Sequence, residues 1–345
     1  MVKIGIAGAS GYTGLELIRI LTNHPETEIV FLTSETFQGE NISKVFPSIS
    51  GFVQTKLSSI KSIFNETCDI VFLALPHTTS MEMVPKFLKG NAKVIDLSAD
   101  FRLKNPAIYE EWYSTPHQQP DLLKEAVYGL PEIHREKIKS ARLIANPGCY
   151  PTSTTLALAP LVTENWIDHS SIVVDSKSGI SGAGRKASLG TQFSEINGGV
   201  SAYNVGVHRH TPEIEQELSA LAKTNIKISF SPHLIPITRG MLSTVYINLK
   251  QDISAIELIQ HFIKFYAEEP FIRILPLGKH ANSHFTVSSN FCDISVHLDK
   301  RNQRAIITSA IDNLIKGASG QAVQNMNLML GIPETTGLNF PGIFP

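Results

Sequence analysis

Short apolar runs recur along the first 150 residues and are separated by turns and helical patterns. Runs that are apolar at nearly every position are typical of strands buried on both faces of a parallel sheet. We predict such strands at 2–7, 28–33, 68–75, 93–97 and 143–145, with a helix over 15–21 after the first. Residues 103–140 are rich in aromatics and prolines and predict an irregular excursion with short helices. The first half therefore predicts an α/β domain with a doubly wound sheet.

Alternation of apolar and polar residues dominates the second half. It predicts strands at 171–176, 233–242, 243–249, 288–298 and 305–309, with a helix over 256–266. This pattern predicts an α+β domain with a mixed or antiparallel sheet, a suitable platform for dimerisation. Residues 312–330 end in a helix, with Gly331 as its stop and Pro333 beyond. We expect this C-terminal helix to return to the first domain and face the cofactor.

Length and composition indicate a soluble globular enzyme with about two domains. The 345 residues are 42% hydrophobic and 18% charged, as is common in such proteins. The net charge of −1 gives no electrostatic basis for binding nucleic acid or an anionic membrane. Three cysteines, an odd and sparse set, indicate a reducing compartment. With no signal peptide and no apolar run near the ~20 residues of a spanning helix, we expect a cytoplasmic protein.

The first strand is followed by a glycine-rich turn with the sequence GASGYTG at 8–14. A strand, a glycine turn and a helix form a Rossmann-type dinucleotide signature, because glycines let the backbone approach a pyrophosphate at the helix N-terminus. The spacing is GxxGxxG rather than GxGxxG, and an ordinary tight turn is the alternative. Ser34 ends the second strand, where a hydroxyl favours the 2′-phosphate of NADP, although acidic Glu35 follows and no basic residue adjoins it. Pro76 follows the third strand, at an edge where ligands bind.

The sequence NPGCYPT at 146–152 places Cys149 between a strand and a helix predicted over 152–161. A thiol at a helix N-terminus faces unpaired amides and the positive end of the helix dipole, which favour the nucleophilic thiolate. The same amides can hold a developing oxyanion. The alternative is a small buried cysteine without a reactive role.

Cations lie in regions where an anionic substrate can bind. Arg102 follows the predicted strand at 93–97 and can fork onto a carboxylate or phosphate, or pair with Asp96 or Asp100. The sequence KSGISGAGRK at 177–186 combines glycines with three cations and is typical of an anion-binding concavity. A mobile surface loop is the alternative there. Arg239 can reach a substrate phosphate or bridge subunits.

The sequence HRHTPE at 208–213 leads into a predicted helix with Thr211 as its cap. In an extended segment, His208 and His210 lie on the same side. One can then serve as the acid–base partner of the thiolate and the other as a phosphate ligand. A zinc pair is a rival that lacks any further cluster with ligand spacing, so we assign no metal. A structural role for either histidine alone is another alternative.

Together these motifs resemble the N-acetyl-gamma-glutamyl-phosphate reductase family, a relative of aspartate-semialdehyde dehydrogenase. The resemblance spans nearly the whole chain through GASGYTG at 8–14, DLSADFR at 96–102, NPGCYPT at 146–152, KSGISGAGRK at 177–186, HRHTPEI at 208–214 and GASGQAVQNMNLMLG at 317–331. It implies an NADPH-dependent enzyme of arginine biosynthesis that reduces an acyl phosphate to a semialdehyde through a thioester on Cys149. It also implies a cytoplasmic homodimer or homotetramer.

The motifs and the resemblance together assign domains and site residues. We predict an NADP-binding domain over 1–148 plus 313–345 and a catalytic and dimerisation domain over 149–312. The expected catalytic residues are Cys149, His208 for acid–base work, and His210 nearer the phosphate. Substrate binding is expected at Arg102, Lys177, Arg185, Glu213 and Arg239. NADP binding is expected at Gly8, Ser10, Gly11, Tyr12, Thr13, Gly14, Ser34, Pro76, Ser178, Gly179 and Asn325.

Several other functions are compatible with parts of the sequence. A reductase of carrier-linked aminoadipyl phosphate, or of aspartyl phosphate, uses the same chemistry. A thiol hydrolase built on Cys149 and His208 leaves the glycine-rich turn unexplained. A non-catalytic NADP-binding sensor leaves the cysteine and the histidine unexplained.

Overall fold

The chain folds into two compact units. The computed structural model describes residues 1–63 and 67–344. One unit consists of Met1–Gly148 and Ala318–Asn339, and the other of Cys149–Gly317 and Phe340–Pro345. The chain therefore enters the second unit at Cys149.

The boundaries at the C-terminal side differ from those predicted. Residues 313–317 and the segment after 339 belong to the second unit rather than to the first. The amide of Gly317 donates to the carbonyl of Asp312 (2.9 Å), and the amide of Ile343 donates to that of Val287 (2.9 Å). These backbone hydrogen bonds hold both segments to the second unit, an effect that apolar periodicity does not reveal.

The first unit is built on a parallel sheet that contains all five strands predicted from the apolar runs. Its described strands are β1 (Val2–Ala7), β2 (Thr27–Thr33), β3 (Leu57–Ser58), β4 (Ile70–Leu73), β5 (Lys93–Asp96), β6 (Val127–Tyr128) and β7 (Leu143–Ala145). They lie in the order β3-β2-β1-β4-β5-β7-β6, and the pairings between them are parallel. The strand order changes direction between β1 and β4, where doubly wound folds bind ligands. The predicted doubly wound α/β fold is confirmed.

Helices connect these strands. They are α1 (Tyr12–Leu21), α2 (Ile42–Val45), α3 (Thr79–Lys89), α4 (Pro106–Tyr113), α5 (Pro120–Glu125) and α6 (Pro131–Lys139). The last three fill the predicted excursion and each begins with proline, which suits a first turn because no amide hydrogen bond is needed there. Strands β3 and β6 were not predicted, since two residues are too short to show a pattern.

The second unit contains a mixed sheet, as predicted. Its described strands are β8 (Val173–Gly179), β9 (Ser201–Ala202), β10 (Ser229–Ile235), β11 (Met241–Asn248), β12 (Ile272–Ile274), β13 (Cys292–Asp299) and β14 (Arg304–Ile311). They lie in the order β12-β13-β14-β11-β8-β10-β9, with parallel pairs at β8–β10 and β12–β13. Burial alternates residue by residue along β11, so one sheet face packs in the core and the other is more open.

Four described helices accompany this sheet: α7 (Cys149–Val162), α8 (Phe193–Ile196), α9 (Thr211–Ala222) and α10 (Ala255–Phe265). The predicted helix over 152–161 thus begins three residues earlier, at the cysteine itself. Helix α7 is buried along nearly its whole length. The Oγ of Ser153 lies 3.0 Å from that of Ser243 on β11 and 3.1 Å from that of Ser309 on β14, within hydrogen-bond distance of both. These small side chains let the helix lie close against the sheet.

The C-terminal helix α11 (Gly320–Leu330) returns to the first unit, as predicted. It packs against α1 and α6. Gly331 ends it with a φ of 69°, a left-handed conformation that favours glycine.

Candidate active site

Cys149 occupies the first position of α7, where helix amides lack intrahelical acceptors. Its side chain is partly buried and is not part of a disulfide among the described residues. A Cβ placed on Gly317 would lie 2.7 Å from the Cβ of Cys149 and 3.2 Å from its Cα. Position 317 must therefore be glycine if Cys149 is to keep this position.

Tyr150, which follows the cysteine, contacts both candidate histidines. The ring of Tyr150 packs edge-on against His208 (5.5 Å between ring centroids), His210 (5.9 Å) and Phe230 (5.2 Å). The hydroxyl of Tyr203 donates to that of Tyr150 (3.1 Å). Burial raises the pKa of Tyr150, and it raises the pKa of Tyr203 to about 12, so both rings stay uncharged. Both predicted histidines thus pack against the ring of the residue that follows Cys149.

The two histidines lie in a turn, which corrects the predicted extended segment. The amide of His210 donates to Nδ1 of His208 (3.1 Å), and the ring centroids are 4.9 Å apart. Thr211 is the first residue of α9 rather than its cap, and its amide donates to the carbonyl of His208 (2.9 Å). The rings are neighbours because the chain turns between them.

Lys177 and Ser178 lie on β8, which runs three residues beyond its predicted end to Gly179. Ser178 is buried and hydrogen-bonds to Tyr150. Successive residues of a strand face opposite sides, so Lys177 faces away from that contact. Its Nζ lies 2.7 Å from Oδ2 of Asp175. The structure therefore places Lys177 in an ion pair and does not bring it to the cysteine.

The other predicted substrate residues of the second unit have different surroundings. Arg185 is exposed in the loop after β8, and Glu213 is buried in the first turn of α9. Arg239 lies between β10 and β11, with its Nε 3.1 Å from Oδ2 of Asp312 and its Nη2 3.3 Å from Oδ1. The charge of Arg239 is thus matched by a fully buried carboxylate of the same unit.

The glycine turn opens α1 at the carboxyl end of β1. Gly8 has a φ of +86°, and a Cβ there would lie 2.2 Å from the carbonyl oxygen of Ala74, so only glycine fits. This contact brings the turn that contains Pro76 beside it. Gly11 precedes α1, whose N-terminus carries no side-chain cap, and Tyr12 and Thr13 begin the helix. A Cβ on Gly14 would lie 2.5 Å from the carbonyl oxygen of Gly8.

Ser34 and Ser10 form a hydroxyl pair beside this turn. Their Oγ atoms are 2.8 Å apart. The carboxylate of Glu35 accepts hydrogen bonds from the amide of Ile60 (2.8 Å) and from the hydroxyl of Ser59 (3.1 Å). The side chain of Glu35 thus turns away from the pair, which removes the objection that the sequence raised against a 2′-phosphate there.

The DLSADFR motif forms a buried polar turn after β5. Asp100 accepts hydrogen bonds from the amide of Thr78 (3.0 Å) and the hydroxyl of Tyr109 (2.7 Å). Asp96 accepts from the amide and hydroxyl of Ser98. Burial, and then the nearby Asp100, raise the pKa of Asp96 to about 6. Both side chains therefore stabilise the turn at the end of β5 through hydrogen bonds.

Arg102 extends from this turn to the segment that precedes the cysteine. Its Nε donates to the carbonyl of Asn146 (2.8 Å) and its Nη2 to that of Leu97 (3.0 Å). The guanidinium is almost fully buried. Arg102 therefore holds the backbone of the NPGC segment, whatever else it contacts.

Asn325 on α11 lies at the same segment, within the first unit. Its Nδ2 donates to the carbonyl of Gly129 (2.8 Å) and to Oδ1 of Asn146 (3.1 Å). Its own Oδ1 is buried and has no hydrogen-bond partner among the described residues. An unpaired buried acceptor is costly unless a ligand donor meets it, so Asn325 fits the carboxamide of a nicotinamide.

Across 1–63 and 67–344, no three His, Cys, Asp or Glu side chains are grouped as metal ligands. The same stretches contain no helix with the length and apolar character needed to span a membrane.

Three residues of the site were not predicted from the sequence. Tyr150 and Tyr203 surround His208, and Asn146 pairs with Asn325. The tyrosines stand within quoted motifs or beside them, but nothing in their spacing shows that their rings meet. Contacts between segments so far apart in the chain appear only in the folded protein.

Comparison with known proteins places the chain in a family. Residues 3–141 match the semialdehyde dehydrogenase NAD binding domain, and residues 149–313 match the semialdehyde dehydrogenase dimerisation domain. An N-acetyl-gamma-glutamyl-phosphate reductase from Desulforamulus reducens is 50% identical over 348 residues, covering 100% of both chains. One from Citrifermentans bemidjiense is 53% identical over 347 residues, with the same coverage.

Solved structures share the fold at low sequence identity. Aspartate semialdehyde dehydrogenase II from Vibrio cholerae, complexed with ASA, superposes with a TM-score of 0.73 at 16% identity, covering 96% of this chain and 98% of that one. The Candida albicans aspartate semialdehyde dehydrogenase with NADP gives 0.70 at 14% identity, with coverage of 96% and 98%. With half of its residues identical to those relatives over their full length, this chain belongs to the N-acetyl-gamma-glutamyl-phosphate reductase family, within the semialdehyde dehydrogenases.

Proposed function

We propose that the protein catalyses the NADPH-dependent reduction of N-acetyl-gamma-glutamyl phosphate to N-acetylglutamate 5-semialdehyde, a step of arginine biosynthesis. The observation that carries the proposal is the position of Cys149. It begins a buried helix, and the ring of the next residue, Tyr150, packs against His208 and His210. The glycine turn of the first unit supports a dinucleotide partner for this chemistry.

Cys149 is the proposed nucleophile. Its thiolate attacks the acyl carbonyl, a C–S bond forms, and the C–O bond to phosphate breaks, leaving a thioester. The departing phosphate takes up the proton that the overall reaction consumes. NADPH, when bound, supplies the hydride that reduces the thioester. The thiohemiacetal oxyanion on Cys149 then collapses to the semialdehyde, and the electrons of the C–S bond return to sulfur.

Phosphate is the second recognition element of the substrate. We propose that His210, at the N-terminus of α9, contacts it, because helix amides and a histidine both favour an anion. Arg185 is a cation on an exposed loop, and Arg185, Arg102 and Glu213 remain proposed substrate contacts. Lys177 and Arg239, which are in ion pairs, instead stabilise the second unit.

The proposed NADP site lies in the first unit. The amides of the glycine turn at 8–14 bind the pyrophosphate, and the hydroxyl pair of Ser10 and Ser34 binds the 2′-phosphate. Asn325 binds the carboxamide through its unpaired Oδ1. Pro76, Ser178 and Gly179 remain proposed cofactor contacts.

We propose that the enzyme is a cytoplasmic homodimer or homotetramer. The second unit carries the family's dimerisation domain over 149–313. One sheet face of this unit is not covered by its own helices, as the half-buried alternate residues of β11 show. We propose that a second subunit packs against this face of the sheet.

The direct test is the reverse reaction, with N-acetylglutamate semialdehyde, phosphate and NADP or NAD, followed by the absorbance of the reduced cofactor. We expect phosphate-dependent activity that is faster with NADP. Absence of activity with both cofactors overturns the proposal. Activity restricted to aspartate semialdehyde or to carrier-linked aminoadipate semialdehyde identifies a related reductase, and phosphate-independent ester cleavage identifies a hydrolase.

Cofactor preference should depend on Ser34. Ser34→Ala is expected to raise KM for NADP about tenfold and leave KM for NAD nearly unchanged, because a hydrogen bond to a charged phosphate is worth about 1.5–3 kcal/mol. Glu35→Gln is the control, since its carboxylate faces Ser59 and Ile60. A marked gain in NADP preference in Glu35→Gln would show that Glu35 opposes the phosphate after all.

Gly317 should be intolerant of any side chain. Gly317→Ala is expected to lower kcat about 100-fold, since displacing a reacting group by about 1 Å can cost that much. Gly190→Ala is the matched control, because a Cβ there meets no atom within 4 Å. Both kcat and the thermal midpoint should be measured for each variant. An unchanged kcat in Gly317→Ala would mean that the contact does not position the cysteine.

A further inference from the structure

His208 is enclosed by aromatic rings. Its centroid lies 5.5 Å from that of Tyr150, 5.4 Å from Tyr203, 5.4 Å from Phe230 and 4.9 Å from His210. The loop that carries it is fixed to β10, because the amides of Tyr203 and Gly206 donate to carbonyls of that strand. The imidazole therefore has a defined, partly buried position.

The hydrogen bond at Nδ1 defines the tautomer of His208. Nδ1 accepts the amide hydrogen of His210 at 3.1 Å. A nitrogen that accepts a hydrogen bond carries no proton, so in the neutral ring the proton is on Nε2. The described residues provide no hydrogen-bond partner for Nε2. An N–H donor is thus left for a ligand.

The surroundings also favour the uncharged ring. Burial, and then the positive charge of Arg209, lower the pKa of His208 to about 4. Tyr150 and Tyr203 are uncharged at neutral pH, as their raised pKa values require. His210 and Cys149 are the other titratable groups of this cluster. Among the described residues, no carboxylate forms an ion pair with His208 that would stabilise an imidazolium.

We propose that His208 acts as a neutral hydrogen-bond donor, through Nε2–H, to the carbonyl oxygen that Cys149 attacks, and exchanges no proton during turnover. This inference rests on the proposed function and replaces the acid–base role suggested by the sequence. Nδ1 is already occupied, so it cannot take the thiol proton. A neutral imidazole is too weak an acid to give up its Nε2 proton, yet it is a good donor to an oxyanion.

The chemistry needs such a donor twice. Negative charge develops on the carbonyl oxygen when the thiolate adds to the acyl phosphate, and again when hydride adds to the thioester. Each oxyanion collapses by expelling a group that leaves as an anion: phosphate in the first step, the thiolate of Cys149 in the second. The proton consumed goes to phosphate from water, so neither step requires proton transfer by His208.

Paired substitutions separate a donor from an acid–base group. His208→Ala is expected to lower kcat about 100-fold in the reverse assay, the usual cost of one oxyanion donor. His208→Gln, which keeps an uncharged N–H donor, should be at least about tenfold faster than His208→Ala. Its pH profile between about pH 5.5 and 8.5 should have the shape of the wild-type profile. Equal loss in both variants, with disappearance of a limb of the pH profile, overturns the inference.

Nitrogen-15 NMR of the histidine-labelled full-length protein provides a readout that does not depend on any variant being active. The His208 signals, identified by their absence in His208→Gln, should report an Nε2-protonated neutral ring throughout the same pH range. A ring that titrates near pH 6.5, or one protonated on Nδ1, overturns the inference. If the wild-type enzyme is inactive in the reverse assay, the proposed function fails, which is a separate outcome from a titrating His208 in an active enzyme.

Discussion

Replacement of Cys149 by alanine is expected to lower kcat by at least about 10,000-fold, because the thioester cannot form without the nucleophile. The other two cysteines cannot substitute. Burial, and then the charge of Asp69, raise the pKa of Cys68 to about 11, so it stays a thiol at neutral pH. Cys292 is fully buried, with its Sγ 3.3 Å from the Oγ of Ser309. The reverse reaction measures the loss directly.

Two further measurements make this result specific. NADPH binding by Cys149→Ala, followed by fluorescence, should match the wild type, because the proposed cofactor residues of the first unit are intact. Cys68→Ala should keep wild-type kcat and shows the effect of removing a partly buried thiol elsewhere. If Cys149→Ala loses cofactor binding or its thermal transition, Cys149 has a structural role. If it retains turnover, another group is the nucleophile.

The fold was largely predictable because its signals are local. Strand β1 and the glycine turn after it, the buried runs of β4 and β5, and the glycine stop after α11 each depend on residues adjacent in sequence. Both sheets were predicted with the correct class. Two boundaries differ, since α7 starts at Cys149 rather than at 152 and β8 continues to Gly179. The run predicted as a strand over 233–242 is divided between the end of β10 and the start of β11, and the short strands β3, β6, β9 and β12 were not predicted.

The environment of the candidate site was less predictable, because it depends on which side chains meet. Lys177 was grouped with a loop of cations, yet it lies on a strand and pairs with Asp175 two residues away on the same face. His208 and His210 were expected on the same side of an extended segment. In the structure the chain turns between them, and the amide of His210 donates to the imidazole of His208. Both differences depend on where a strand ends and how a loop turns, and neither can be determined from composition or residue spacing.

The partner of Arg239 was likewise not predictable from the sequence. That partner, Asp312, is the residue whose replacement is expected to have the largest effect on stability. An arginine in a turn near a candidate site suggests an anionic substrate, whereas the structure gives it the carboxylate of Asp312. The same carboxylate accepts hydrogen bonds from the amides of Ser288 (2.6 Å), Leu314 (2.7 Å) and Ile315 (3.1 Å). Asp312 thus stabilises the segment that leads to Gly317 and Cys149.

Asp312→Ala is expected to lower the free energy of unfolding by about 3–5 kcal/mol, because it leaves a largely buried guanidinium and three amides without their acceptor. Asp121→Ala is the matched control: its exposed carboxylate pairs only with the exposed Lys124, and such surface pairs contribute about 0–1 kcal/mol. Denaturant titration of both variants measures the difference. A loss below about 1 kcal/mol in Asp312→Ala would mean that Arg239 is solvated without its partner. Arg239 would then be available as the substrate ligand that its position in the sequence first suggested.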